Sequence, residues 1–304
     1  MSPRFRTFSF VTLWWCAGSG WACSPDRPPE QDADVPVLRL GLLGNAAQPE
    51  GALVLGPYFR QRLGRDIQVI VRSDYEELVE LARRGEVDLV RLGGAAFALA
   101  QIRADLRPLV MRDVDSGFRT ALVAAGGVDA SGLGDLRGMR LALTRPLSTS
   151  GHVMPLYFLR REGVDPDTLF ANTTFFGGQR EALDAVLEGR ADVAAVHTFN
   201  LAEWIGAGQV DSVAIRVLWT SPPYPNVIWG ARGGLGEDLL LRIRTAFLSL
   251  ATTDPMASPI LEALDARSFV PADIHDFDTV AEAVRLLISR GELSLPAELP
   301  DDEG

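Results

Sequence analysis

The sequence predicts an α/β protein made of two doubly wound lobes joined by crossing strands. Two observations predict this architecture. After residue 36, short apolar and β-branched runs alternate with amphipathic helical patterns, which is the order typical of a doubly wound parallel sheet. The alternation restarts after Gly138, and a chain of 304 residues is long enough for two lobes that each have a core.

The first half of this alternation supplies lobe one. It predicts strands over Val37–Leu43, Ile67–Val71, Val87–Leu92, Leu106–Arg112 and Thr120–Ala124, and helices over Leu53–Leu63 and Ala95–Arg103. Between the second and third strands, Asp74 is expected to cap a helix, with Glu77 completing a capping box. The pair Gly93-Gly94 is expected to break the third strand directly into the next helix.

The second half of the alternation supplies lobe two. It predicts strands over Arg140–Leu143, Thr173–Phe176 and Val193–Val196, and helices over Ser150–Glu162 and Gln179–Glu188. Two later strands, Val213–Trp219 and Val227–Gly230, are candidates for a return to the first lobe. The helices expected to close the structure are Glu237–Ala251, Met256–Leu264 and Asp276–Arg290.

Both lobes are therefore expected to share one cleft. Lobe one is predicted over 37–120 and 225–295 and lobe two over 121–224, so the chain crosses between them near Arg119–Ala124 and Pro222–Val227. Ligands of open α/β sheets bind at the carboxyl ends of strands. Two lobes joined in this way can close around such a ligand by hinge motion.

The N-terminal residues have the layout of an export signal. Arg4 and Arg6 precede an apolar stretch, Phe8–Ala22, which is too short to span a membrane comfortably and ends in small residues. The step into Cys23 resembles a bacterial lipobox, so the sequence predicts a signal peptide over residues 1–22 and a lipid on Cys23. An ordinary signal peptide with an incidental cysteine is the alternative.

Polar segments flank the predicted lobes. Residues 23–36 are rich in proline and charge and are expected to form a flexible tether. Residues 296–304 are expected to be a frayed acidic tail.

Composition excludes several classes of function. The net charge of −11 argues against a nucleic-acid partner, because such binding needs a basic surface. All 29 basic residues are arginine, which excludes Schiff-base and P-loop lysines. The two cysteines, Cys16 and Cys23, both precede the folded part, and the three histidines lie far apart in sequence, which argues against a metal site. No cofactor is expected.

One turn has the composition of an anion site. Ser148-Thr149-Ser150-Gly151 follows a predicted strand and opens a predicted helix. Three hydroxyls and several free backbone N–H groups would converge there, beside the partial positive charge of a helix N-terminus. The alternative is that Ser148 or Ser150 merely caps the helix.

Further motifs follow one another in a specific order. In the second half they are Ser148-Thr149-Ser150-Gly151, Pro155, Gly163-Val164-Asp165-Pro166 and the helix-to-strand step from Val186 to Asp192. In the first half they are Asp74-Tyr75, Gly85-Glu86-Val87-Asp88, Leu92-Gly93-Gly94-Ala95 and Asp135-Leu136-Arg137-Gly138. Together they resemble the phosphate, phosphite and phosphonate-binding family of periplasmic ABC-transporter components, over nearly all of residues 37–290.

The resemblance implies a type II periplasmic-binding-protein fold and a set of ligand-binding residues. Ser148, Thr149 and Ser150 would hold the oxyanion from lobe two, and Tyr75 would reach it from lobe one. A surface-packed aromatic at the start of a helix is the alternative reading of Tyr75.

The sequence also departs from the family pattern. Phe97 stands where the family often has a tyrosine, so a hydroxyl is lost. Gln179 stands where a ligand-contacting histidine is common, and His197 and Asn200 stand where groups that hold an aminoalkyl substituent are common. Gln179 and His197 therefore complete the predicted ligand-binding set, while the substituent end of the site stays open.

The function implied by the resemblance is solute capture. We expect a monomeric, membrane-anchored lipoprotein in the bacterial periplasm that delivers a phosphonate, phosphite or phosphate to an ABC permease and ATPase. A sensing lipoprotein of the same fold that feeds a signalling partner is the alternative. An enzyme, which would need a dyad such as Ser150 with His152 or His197, is not expected, because no G-x-S-x-G elbow or metal cluster supports it.

Overall fold

A computed structural model of the protein describes residues 36–44 and 54–293. The predicted signal peptide, Cys23, nearly all of the predicted tether and the acidic tail lie outside the described residues. None of the described helices is both long and apolar enough to cross a membrane.

Strands and α-helices alternate over much of the described chain. The strands are β1 (Val37–Leu43), β2 (Asp66–Arg72), β3 (Leu89–Gly93), β4 (Leu106–Arg112), β5 (Thr120–Ala125), β6 (Arg140–Leu143), β7 (Asn172–Phe175), β8 (Val193–His197), β9 (Ile215–Thr220), β10 (Val227–Arg232) and β11 (Phe269–Pro271). The α-helices are α1 (Leu55–Leu63), α2 (Tyr75–Arg83), α3 (Gly94–Arg103), α4 (Met154–Arg161), α5 (Pro166–Leu169), α6 (Gln179–Leu187), α7 (Thr198–Gly206), α8 (Glu237–Leu248), α9 (Ser258–Ala263) and α10 (Asp278–Ser289). Of these, α5, α7 and β11 are not predicted by the sequence pattern.

These strands form two mixed sheets. The first has the order β11-β4-β10-β3-β1-β2, and the second has the order β7-β6-β8-β5-β9. In each sheet the expected parallel core is present, with β1 parallel to β2 and β3, and β6 parallel to β7 and β8. The boundaries predicted for the two lobes stay a prediction.

The strands that come after the two crossings run antiparallel to their neighbours. Strand β5 pairs antiparallel with β8 and β9, and β10 pairs antiparallel with β3 and β4. The crossing segments pair with each other just before these strands begin, where the amides of Phe118 and Tyr224 exchange hydrogen bonds of 3.0 and 2.9 Å. Of the two candidate return strands, only β10 joins the first sheet. Strand β9 stays at the edge of the second.

The pleat of the strands divides the core into layers. On β3, Val90 and Leu92 pack into a cluster that also contains residues of the second sheet, such as Leu122 and Leu141. Leu89, on the opposite face of β3, packs with α1, α8 and α9. One apolar cluster is thus continuous across both sheets, which keeps their strand ends close together.

The same arginine clamp occurs once in each sheet. Arg39 on β1 donates to both carboxylate oxygens of Asp88, at 2.9 Å, and to the carbonyl of Gly85. Arg140 on β6 binds Asp192 at 3.0 and 2.7 Å and the carbonyl of Gly189 in the same way. Each clamp fixes the start of the central strand, β3 or β8, whose far end reaches the cleft.

Candidate ligand-binding site

A cavity of about 870 Å³ lies where strand ends of the two sheets face each other. Segments from both sheets line it, including the ends of β1, β3 and β8 and the chain after β2 and β6. All six residues predicted to bind ligand contribute to its wall, namely Tyr75, Ser148, Thr149, Ser150, Gln179 and His197. The topology therefore brings together residues that are up to 122 positions apart in sequence.

The hydroxyl-rich turn adopts a tight helical entry. Residues Thr149–Val153 form one turn of π-helix that continues directly into α4, where the sequence pattern predicts a single α-helix over Ser150–Glu162. Gly151 is required here, because a Cβ atom at this position would lie 1.9 Å from the Thr144 hydroxyl. Ser148 caps the turn and accepts a hydrogen bond of 3.2 Å from the Gly151 amide.

Each of the three consecutive hydroxyl oxygens accepts one hydrogen bond from the protein. Ser148 Oγ accepts from the Gly151 amide, Thr149 Oγ1 accepts from the Ala95 amide at 3.0 Å, and Ser150 Oγ accepts from Gln179 Nε2 at 3.1 Å. The protons of Ser148 and Thr149 meet no acceptor within the described residues, whereas the Ser150 hydroxyl also interacts with the hydroxyl of Tyr224. Ser148 and Thr149 are therefore positioned as donors for an acceptor that enters the cavity, and Ser150 lies beside them.

The orientation of the Gln179 amide follows from its partners. Its Oε1 accepts from the His197 backbone N–H at 2.8 Å and from Asn200 Nδ2 at 3.2 Å. Because a backbone N–H can only donate, Oε1 must face His197, and Nε2 must then donate to Ser150. Gln179 thus positions the hydroxyl of Ser150.

His197 contributes a second kind of donor. Its Nδ1 accepts from the Asn200 amide at 3.4 Å, so a neutral ring carries its proton on Nε2. Nε2 is buried and has no hydrogen-bond partner within the described residues. Burial is the main cause that lowers the pKa of His197 to about 4, so the ring is neutral at physiological pH.

Tyr75 reaches the cavity from the first sheet. It is the first residue of α2, whose N-cap Asp74 accepts from the amides of Glu76 and Glu77. Burial raises the pKa of Tyr75, so its hydroxyl keeps its proton and can donate. The second half of the predicted capping box gives way to an ion pair, with Glu77 lying 3.7 Å from Arg72.

Phe97 is a core residue in this structure. It packs against Phe277 with ring centroids 5.7 Å apart and is fully buried. Phe97 does not line the cavity.

The histidines form no dyad with Ser150. His152 is buried and its Nδ1 lies 2.5 Å from the Pro146 carbonyl, while the His197 ring packs on Phe118 with centroids 3.9 Å apart. Among the described residues, no cluster of three or more histidine, cysteine, aspartate or glutamate side chains could hold a metal ion.

Several residues of the cavity wall are not predicted by the sequence pattern. They are Arg91, Arg112, Phe118, Asn226 and Trp229. Arg91 lies two residues before the predicted strand break at Gly93, and that spacing is the signal that places it near the strand end. Arg112 and Trp229 reach the wall through the neighbouring strands β4 and β10, whose order in the sheet the sequence pattern does not reveal.

A smaller cavity of about 230 Å³ adjoins the main one. It shares Tyr75, Ser148, Gln179 and Asn200 with the main cavity and adds Arg145. Arg145 is half-buried, and its charge adds to the hydrogen bond with Glu76 that is the main cause lowering the pKa of the nearby Asp74 carboxyl.

A donor-lined cleft between two α/β lobes defines a two-lobed solute-binding protein. The chain belongs to the ABC-transporter family of phosphonate periplasmic substrate-binding proteins, whose family model matches residues 50–277. This confirms the resemblance found in the sequence, and the family is one of periplasmic transport proteins rather than of enzymes.

Individual relatives have diverged far from this chain. It is 23% identical over 245 residues to the probable ABC transporter phosphite binding protein PhnD1 of Prochlorococcus marinus, covering 75% of this chain and 82% of the relative. It is 27% identical over 200 residues to the phosphate-import protein PhnD of Mycolicibacterium smegmatis, covering 62% of each.

The fold is shared with solved structures. A structure of PhnD1 from Prochlorococcus marinus in complex with methylphosphonate superposes with a TM-score of 0.75 at 22% identity, covering 84% of this chain and 99% of that one. The predicted type II periplasmic-binding-protein fold is thereby confirmed.

Proposed function

We propose that this protein captures a small phosphorus oxyanion in the cleft and holds it through Ser148, Thr149 and Ser150. The observation that carries the proposal is that all three hydroxyls accept a bond from the protein, and that the protons of Ser148 and Thr149 meet no acceptor within the described residues. The Nε2–H of the neutral His197 ring and the hydroxyl of Tyr75 add two further hydrogen-bond donors. An acceptor-only group such as a phosphonyl or phosphate is the chemical complement of such a wall.

The donors can supply a large part of the free energy that micromolar binding requires. A hydrogen bond to a charged group contributes roughly 1.5–3 kcal/mol. Four of them would contribute roughly 6–12 kcal/mol before the costs of association, and micromolar binding requires about 8 kcal/mol. The relatives described as binding phosphite and importing phosphate, and the structure with methylphosphonate, support the same class of ligand.

Titration calorimetry with phosphite, phosphate and methylphosphonate tests this proposal. We expect at least one of them to bind, Ser150→Ala to weaken that binding measurably, and Ser148→Ala with Thr149→Ala nearly to abolish it. Ser131→Ala is the matched control, because this exposed serine lies outside the cavity. A double variant that binds as tightly as the unaltered protein would refute the assignment of the turn.

The role in transport and the membrane anchor extend the proposal. The ligand would be passed to an ABC permease and ATPase, and we propose that Cys23 becomes the acylated N-terminus after cleavage behind Ala22. Mass spectrometry of the native protein should show a lipid on an N-terminal cysteine. An unlipidated mature form that begins elsewhere would contradict the anchor and leave the ligand site unaffected.

A further inference from the structure

Arg91 is a cation in the cavity wall without an ion-pair partner among the described residues. It lies on β3, paired with Leu42 of β1 on one side and Trp229 of β10 on the other. Its Nε atom is buried and has no hydrogen-bond partner within the described residues. Burial, reinforced by the nearby Arg112, lowers the pKa of Arg91, and Asp115, Tyr75 and Asp265 offset this only in part.

The neighbouring carboxylates, Asp115 and Asp265, pair with Arg112 and form no ion pair with Arg91. Arg112 is held by Asp115 in a two-pronged contact of 2.9 and 2.8 Å and also donates to the carbonyl of Leu264. The two acidic side chains of the cavity wall, Glu203 and Asp265, are both exposed, and Asp265 contacts Arg112 at 3.4 Å. Arg91 is therefore a positive charge of this wall that has no ion-pair partner of its own within the described residues.

Arg91 lies away from the part of the site where the hydroxyl turn, at Ser148, borders the smaller cavity. Tyr75, Ser148, Gln179 and Asn200 line both the main cavity and the smaller one, whereas Arg91 lines only the main cavity, beside Arg112. A cavity of about 870 Å³ leaves room for a substituent beyond the oxyanion. A guanidinium binds carboxylate and phosphate groups through paired hydrogen bonds, and a buried cation is costly without such a partner.

We propose that Arg91 binds a second anionic group, carried on the substituent of a phosphonate whose phosphorus end is held by the Ser148–Ser150 turn. The ligand class is then a phosphonocarboxylate, with one acidic group for each lobe. This inference rests on the proposed function. Since His197 and Asn200 carry no negative charge that would bind an alkylammonium group, Arg91 would give the site a preference for an anionic substituent.

Calorimetry with phosphonoacetate, methylphosphonate and 2-aminoethylphosphonate on the full chain tests the inference. We expect the unaltered protein to bind phosphonoacetate at least tenfold more tightly than methylphosphonate, a difference of about 1.4 kcal/mol. 2-Aminoethylphosphonate should bind no more tightly than methylphosphonate. Arg91→Met should remove the preference for phosphonoacetate while methylphosphonate binding persists, and Arg91→Lys should keep part of the preference.

The control is Arg285→Met, which removes the same charge from the exposed face of α10, outside the cavity. It should leave the preference unchanged, which excludes an effect of net charge. Equal affinities for phosphonoacetate and methylphosphonate in the unaltered protein would overturn the inference, and so would a preference that survives in Arg91→Met. Failure of all three ligands to bind the unaltered protein would instead overturn the proposed function.

Discussion

At the scale of single residues, the direction of each hydrogen bond determines what the cleft can bind. Gln179 is an example: the backbone N–H of His197 donates to its Oε1, and its Nε2 must then face Ser150 and donate to it. The amide of Asn200 fixes the ring of His197 in a similar way. A wall whose free groups are donors selects a ligand made of acceptors.

His197 should therefore stay neutral, with its proton on Nε2, well below the pH at which histidine usually titrates. Nitrogen NMR of the ring should show this tautomer from pH 8 to pH 5 and a midpoint of about 4, with His197→Asn used to assign the signal. Because the unfolded chain takes up this proton near pH 6.5 and the folded chain does so near 4, His197 lowers stability as pH falls through that interval. A midpoint near 6.5 would contradict the buried, neutral ring.

At the scale of elements, the cleft depends on the segment that comes after each strand. Strand β6 leads through Pro146 and Ser148 into a π-turn that brings three hydroxyls to one place. Strands β3 and β8 lead directly into α3 and α7, so Gly93 and His197 occupy equivalent places in the two sheets. Gly93 matters for close approach, since a Cβ atom there would lie 3.0 Å from the Thr149 hydroxyl.

Gly151→Ala should damage this element selectively. The new Cβ atom would overlap the Thr144 hydroxyl, 1.9 Å away, and crowd Ser148 Oγ at 2.9 Å, so the turn must shift. We expect a loss of about 1–3 kcal/mol in the free energy of unfolding, measured with denaturant, together with weaker oxyanion binding. Gly134→Ala is the control, because a Cβ atom there meets nothing within 4 Å. Equal stability of the two variants would argue against a tight turn.

The sequence was informative where local chemistry determines structure. The Asp74 cap and the hydroxyl-rich turn at Ser148–Ser150 depend on neighbours in the chain, and both occur at the predicted positions, the turn as a π-helix. Contacts between distant segments were not accessible, such as the placement of Arg91 beside Trp229 or the bond from Ala95 to Thr149. Strand order decides those contacts, and periodicity carries no information about strand order.

At the scale of the whole molecule, the two sheets are linked in ways that bear on closure. Thr149, which lies after a strand of the second sheet, accepts from Ala95 at the start of α3, beside the first sheet. Helix α10 packs against both α3 and α4, and Arg160 of α4 binds Glu292 at 2.7 Å. A hinge motion would bend the chain at the paired crossings, Phe118 and Tyr224. The Thr149–Ala95 bond and the packing of α10 would form or shift during this motion.

Ligand binding should therefore compact the protein. Small-angle scattering of the full chain should give a smaller radius of gyration at saturating methylphosphonate than without ligand. Thr149→Val, which removes the bond to Ala95 at nearly constant volume, should reduce this difference. Identical scattering curves at a saturation verified by calorimetry would contradict closure.

The central claim is that the Ser148–Ser150 turn holds a phosphorus oxyanion between the two lobes. A crystal structure of the full chain with methylphosphonate measures this directly. Our account predicts the phosphonyl oxygens at about 3 Å from the hydroxyls of Ser148, Thr149 and Ser150, with the Tyr75 hydroxyl approaching from the other side. A phosphonyl group bound away from this turn, or a turn whose three hydroxyls make no contact with it, would contradict the account.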